Sequence, residues 1–220
     1  MNRREAIQRV AMIMGGAFVG AQFFLEGCTR PTNQTVQVLF DQENINLLTE
    51  LAEAILPKTS TPGAKDAAVG SFIPVMVRDC YSAANQTAFV KGLESVNVRA
   101  KKDFGKNFLE LTIVEKFQFV ETQDKEAKEF QEQRKEELKL KEEEIKEAEK
   151  NTEDAFVVKQ KIDQMKEDVA NHFFTLLKQL TLTGYFTSEV GMTKGLRFVK
   201  VPGRFDGEFP YQKGDKAWAI

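Results

Sequence analysis

No Gly or Pro occurs between Phe108 and Thr183. These two residues are the strongest helix breakers, so a stretch of this length without either predicts long α-helices. Within it, Glu121 to Asp154 alternates Glu and Lys in blocks, and apolar residues thin out to Phe130, Leu138, Leu140 and Ile145. Glu121 with Lys125, Glu137 with Lys141 and Glu142 with Lys146 are spaced i,i+4, and each such pair adds a few tenths of a kcal/mol to a helix. The pattern predicts a solvated helix that turns at Asn151-Thr152 into an antiparallel hairpin with Ala155 to Leu182. Its sharper reading is a protruding arm that binds a partner. His172, Phe173, Phe174, Leu176, Leu177 and Leu180 make the returning strand of the hairpin apolar, so it should re-enter the core, with His172 structural and Gly184 breaking the helix.

The rest of the domain reads as helical too. Asp41 caps a run in which Ile45, Leu48, Leu51, Ala52 and Ile55 recur at helical spacing, ended by Pro57. Lys58 to Asp66 is a loop with a Pro62-Gly63 turn. Ala67 to Tyr81 reads as a helix kinked at, or starting near, Pro74. Gln86 to Phe104 places Phe89, Leu93, Val96 and Ala100 on one face before Gly105 stops it. Thr112 and Glu115 form a capping-box pattern, opening a helix that carries Ile113, Val114, Phe117 and Val120. After Thr187 the chain is rich in glycine and aromatics and lacks periodicity. The expected fold is all-α: a helical bundle with a long charged helical hairpin and an extended C-terminal segment. It should form one domain over 41–220, with 121–154 as the charged arm.

The chemistry available is narrow. Two Cys and one His cannot build a zinc site with the usual ligand count, and there is no C-x-x-C-H for haem. No Walker loop, no G-x-G-x-x-G and no G-x-S-x-G occurs. The carboxylate pairs lie on a solvated helix face, where nothing shifts their pKa values toward acid–base work. No catalytic, cofactor-binding or metal-binding residue is therefore assigned. A net charge of −2 gives no electrostatic basis for binding nucleic acid. Phe is over-used, 18 against 3 Tyr and 1 Trp, which reads mainly as core filling and partly as a patch for a partner.

The first 28 residues read as a targeting segment. Arg3 and Arg4 precede a weakly apolar stretch, resembling a twin-arginine signal, although Glu-Ala-Ile follows the pair in place of the usual x-Phe-Leu. Leu25-Glu26-Gly27-Cys28 resembles a lipobox, so Cys28 is the expected lipidation site and 29–40 a tether to the domain. A signal cleaved without lipidation and a retained spanning helix are the competing readings. Cys80 is then expected to be a buried, inert thiol, with a Cys28–Cys80 disulfide as the alternative. Of the tail aromatics, Tyr185, Phe205, Tyr211 and Trp218 are candidate partner contacts, set against the reading that they cap this domain's own core.

Two blocks carry a resemblance. One runs from Ile55-Leu56-Pro57-Lys58-Thr59 through Pro62-Gly63 and Gly70 to Met76-Val77-Arg78-Asp79-Cys80-Tyr81. The other runs from Leu180-Thr181-Leu182-Thr183-Gly184-Tyr185-Phe186 through Gly191-Met192-Thr193-Lys194 to Val201-Pro202-Gly203-Arg204-Phe205 and Lys213-Gly214-Asp215-Lys216-Ala217-Trp218. With the twin arginines they resemble the gluconate 2-dehydrogenase subunit 3 family. The resemblance implies a non-catalytic small subunit beside an FAD-containing large subunit of the glucose-methanol-choline type, which oxidises sugars, sugar acids or related alcohols. It also implies a cytochrome c subunit that carries haem. FAD and haem c then belong to partners, and export through the twin-arginine translocase would place this chain, lipid-anchored, on the periplasmic side of a membrane. The alternative is a stand-alone periplasmic lipoprotein serving as a structural or binding module.

Overall fold

The structure is a computed structural model that describes residues 34–150, 155–201, 203, 207–210 and 212–219. Arg3, Arg4, Cys28, Phe205, Tyr211 and the expected turn at Asn151-Thr152 lie outside the described residues.

The described residues form an all-α fold. Helices α1 (Gln42–Ile55), α2 (Val69–Cys80), α3 (Ala83–Phe104), α4 (Ile113–Ala148), α5 (Ala155–Asp168) and α6 (Phe173–Thr187) carry it, with 3₁₀ turns at Gln34–Phe40 and Phe108–Glu110 and a π turn at Gly191–Gly195. The tether expected over 29–40 is shorter than the sequence suggested. Gln34–Phe40 is helical, and Val36 and Leu39 on it are fully buried. Their burial removes apolar area worth about 1.5–3 kcal/mol each from water, which holds the segment on the bundle.

The core is one cluster. Leu48 and Leu51 of α1, Ile73 and Val77 of α2, Phe89 and Leu93 of α3, Phe119 of α4, and Phe174 and Leu177 of α6 meet there. Phe89 and Phe173 pack edge to face at 5.1 Å, as do Phe108 and Phe119 at 5.2 Å. Pro74 sits inside α2, where its ring is buried against the cluster. Gln86 at the start of α3 donates to the carbonyls of Val77, Arg78 and Tyr81 at 3.2, 2.9 and 3.2 Å. It thereby closes the carbonyl end of α2, whose last turn has no intrahelical partners of its own.

Helix starts and stops follow local chemistry where that chemistry is strong. Thr112 and Glu115 form both bonds of the capping box. Gly105 ends α3 with φ +75°. The three Glu–Lys pairs named from sequence are formed, at 2.9, 2.6 and 2.8 Å. Lys166 of α5 reaches Glu142 of α4, and Lys161 reaches Glu149 just past the end of α4, so the two helices run antiparallel as an arm.

Three expectations fail. The returning strand of the hairpin is two helices, not one. Arg134 donates to the carbonyls of Ala170, Val169 and Lys166, Ser82 donates to that of Glu167, and Asn85 accepts the Asn171 N–H at 2.8 Å. Side chains from other helices thus satisfy the backbone groups that the break releases. Gly184 does not break α6 but lies inside it. A Cβ there would come within 2.7 Å of the Phe72 ring, so the glycine lets α2 and α6 approach. Cys80 is exposed, because the last residue of α2 turns away from the core.

Candidate functional site

The two sequence blocks, with 98 residues of chain between them, meet at one end of the bundle. Their meeting point is the loop after α1. The carboxylate of Glu53 accepts the Lys58 N–H at 2.9 Å and the Lys65 N–H at 2.8 Å, gripping both ends of the loop. Asp66 accepts the Gly63 N–H at 3.2 Å and pairs with Lys58 at 3.2 Å. The Gly63 N–H, then Lys58, holds the Asp66 carboxyl below its ordinary range, and the charge of Lys194 adds to this. Ala64 donates to Leu56 at 2.9 Å. From the other block, the Tyr185 hydroxyl donates to the Pro62 carbonyl at 2.7 Å. Ala68 closes the loop in the left-handed region at φ 53°, a conformation that costs a non-glycine residue of order 1–3 kcal/mol and persists only where surrounding bonds enforce it. The result is a loop with its polar groups engaged and its tip, Pro57 to Ser60, exposed.

Tyr185 is therefore a core residue, 3% exposed, and not a contact surface. The chain folds back over it through the π turn. A Cβ on Gly195 would lie 2.7 Å from its hydroxyl. Beyond the turn, Arg197 organises the tail. Its N–H donates to the Ala217 carbonyl at 2.8 Å, and its carbonyl accepts the Ala219 N–H at 2.9 Å. Its guanidinium lies 4.9 Å from the Trp218 ring centre and 5.0 Å from that of Phe209. Such stacking is worth about 0.5–1 kcal/mol at an exposed site. Trp218 remains 46% exposed, so it alone of the four predicted contacts is both described and open to solvent.

A charged bridge ties this end to α4. Glu50 is bonded to Lys65 and to Lys116, the latter at 2.9 Å. Burial raises the Glu50 carboxyl, but Lys116 and Lys65 outweigh it and hold it below its ordinary range.

At this junction the polar groups of the described residues are engaged in holding the loop and the helices together. No group of three or more His, Cys, Asp or Glu among them is placed to hold a metal ion. The groove in the arm, lined by Val158, Ile162, Glu142 and Lys166, is bordered by ion pairs of its own. Lys146, then Lys166, pulls the Glu142 carboxyl down to about 2, the wrong direction for a base working near neutrality. His172 caps α6 through Nδ1, which accepts the Phe174 N–H at 3.2 Å. No described helix is long and apolar enough to cross a membrane.

Sequence reasoning missed the apolar residues that stay outside. Among the described phenylalanines five are buried, while Phe117, Phe130, Phe156, Phe186, Phe198 and Phe209 are exposed, so core filling explains only part of the excess. Ile113, Val114 and Phe117, apolar residues in the first turns of α4, are 85%, 66% and 56% exposed. Only their spacing against Lys116, Phe119 and Val120, which do face the bundle, could have warned of it.

No curated protein and no solved structure matches the chain significantly. The family model of gluconate 2-dehydrogenase subunit 3 matches residues 42–203, from the first residue of α1 to a point just past Arg197. That span holds the first sequence block, the second as far as Gly203 and the junction they build, and it covers most of the chain: the protein belongs to the gluconate 2-dehydrogenase subunit 3 family.

Proposed function

We propose that the chain is the non-catalytic small subunit of a gluconate 2-dehydrogenase-like complex. It assists the export, stability and membrane attachment of an FAD-containing large subunit of the glucose-methanol-choline type. That large subunit oxidises a sugar, sugar acid or related alcohol, and a cytochrome c subunit takes up the electrons. The observation that carries the reading is the family match over 42–203. The apolar side chains left on the outside of a well-packed bundle support it, since a subunit needs such surface to bind its neighbours. Arg3 and Arg4 serve as the twin-arginine address, and Cys28 bears the lipid once the signal is removed.

The test is purification of the tagged full-length chain from its host in mild detergent. The expected result is co-recovery of a yellow flavoprotein with sugar or sugar-acid dehydrogenase activity in the membrane fraction. Recovery of the chain alone refutes the reading. Arg3→Lys with Arg4→Lys should strand both proteins in the cytoplasm. Cys28→Ser should release them from the membrane without loss of activity.

A further inference from the structure

The α4–α6 seam carries an apolar patch whose position follows from two contacts. Asp124 Oδ1 of α4 meets Lys178 Nζ of α6 at 2.6 Å. The Phe130 and His172 rings lie 5.4 Å apart. Six residues forward on α4 match six residues back on α6, so the helices are antiparallel in a fixed register. Residues spaced by 4, 7, 8 or 11 share one stripe of a helix. Counting back from Asp124, that stripe holds Phe117 and Ile113. Counting forward from Lys178, it holds Leu182 and Phe186. Rise per residue sets Phe117 about 10 Å from the ion pair and Leu182 and Phe186 about 6 and 12 Å from it, toward the same end. Ile113, Phe117, Leu182 and Phe186 are 85%, 56%, 37% and 41% exposed, with Val114 beside them at 66%. Two apolar stripes thus flank one seam at the end where the two sequence blocks meet.

The charges bordering the patch are already neutralised. Asp124 lies between Lys178 and Lys128, Lys116 is bonded to Glu50, and Lys125 is bonded to Glu121. Covering the patch would leave none of these groups unpaired, which is the condition for desolvating a surface cheaply. An anionic lipid surface would instead call for spare cations at the rim, and Lys116, Lys125 and Lys178 are engaged. An aromatic anchor held in place by its neighbour, as the Phe186 ring is by packing at 5.1 Å on Tyr185, suits the centre of a protein interface.

Resting on the proposed function, we infer that the patch formed by Ile113, Phe117, Leu182 and Phe186 is the docking surface for an uncharged apolar face of the large subunit. The test compares Phe117→Glu with Phe186→Glu, as a double variant of the tagged full-length chain, against wild type and Leu140→Glu. Leu140 is 62% exposed, and it sits about 35 Å further along α4. Wild type and Leu140→Glu should recover the flavoprotein equally, and the double variant at least tenfold less. Both mutated positions are exposed, so the double variant should melt within a few degrees of wild type; the gentler Phe117→Ser with Phe186→Ser serves if it does not. Full recovery by a folded double variant overturns the inference and leaves the proposed function standing. Failure of the wild-type chain to recover any flavoprotein overturns both. Loss of binding to phosphatidylglycerol vesicles, with flavoprotein recovery intact, overturns the inference in favour of a membrane contact.

Discussion

Gly92→Ala is the substitution for which helix propensity and packing disagree most sharply. Gly92 lies in the middle of α3, Ala83–Phe104. Propensity alone makes alanine there more stable by about 1 kcal/mol. The structure says otherwise, because a Cβ on Gly92 would run into Cβ and Cγ of Phe173, far inside van der Waals separation. Those atoms are the root of the side chain and cannot swing aside as a ring tip could. Phe173 is 7% exposed and stacked edge to face on Phe89 at 5.1 Å, so moving it disturbs α6 as well. Overpacking at a site that cannot yield costs about 3 kcal/mol, and loosening the aromatic pair costs about 1 more. Offset by the propensity gain, the net is a loss of about 3 kcal/mol. For a domain of this size that lowers Tm by roughly 6–12 °C. Urea and thermal unfolding of the purified chain, followed by circular dichroism, measure it. A second variant, Phe173→Ala, should shrink the penalty of Gly92→Ala in a double-mutant cycle. A Gly92→Ala chain as stable as wild type, or more stable, would refute the packing argument.

Other expectations follow from single groups. Tyr185→Phe removes the bond to Pro62 and should cost about 1 kcal/mol, with faster amide exchange confined to the loop before α2. His172 must be unprotonated at Nδ1 to cap α6, and burial, then Arg99, lowers its proton affinity against the pull of Glu126. Its folded pKa lies below the ordinary 6.5, so the cap's contribution is intact above that pH and declines as pH falls through it. His172→Asn should keep the cap and abolish that part of the pH dependence of Tm. Glu142 holds α4 to α5 through Lys166, and its carboxyl titrates at about 2 instead of 4.5. This contribution is complete above about 4.5 and is lost as pH falls toward 2, so Glu142→Gln should flatten an acid-induced change in arm order read by amide exchange.

What could be read from the residues was what depends on near neighbours in the chain. The Thr112–Glu115 box, the Gly105 stop and the i,i+4 ion pairs need only local geometry, and each forms. The errors arose where a distant side chain decides. Gly184 looks like a breaker until Phe72 is seen lying against it. The break between α5 and α6 has no Gly or Pro, because Arg134, Ser82 and Asn85 supply its hydrogen bonds from other helices. Tyr185 and Phe186 adjoin in sequence, yet one is buried under the loop and the other faces outward, since a helix turns about 100° between them. The apolar patch escaped notice for the same reason: its two stripes belong to segments some 70 residues apart, joined only in the folded chain.

Helix α4 is shared between the bundle and the arm without interruption. Bending it where it leaves the core would mean breaking its own hydrogen-bond ladder, and Arg134 clamps the link between α5 and α6 at that point. The projection beyond Arg134, about 20 Å long, is built as a spar and not as a leash. Whatever seizes its far end gains leverage on the α4 residues at the opposite end, and any load applied there is carried into the bundle with little slack.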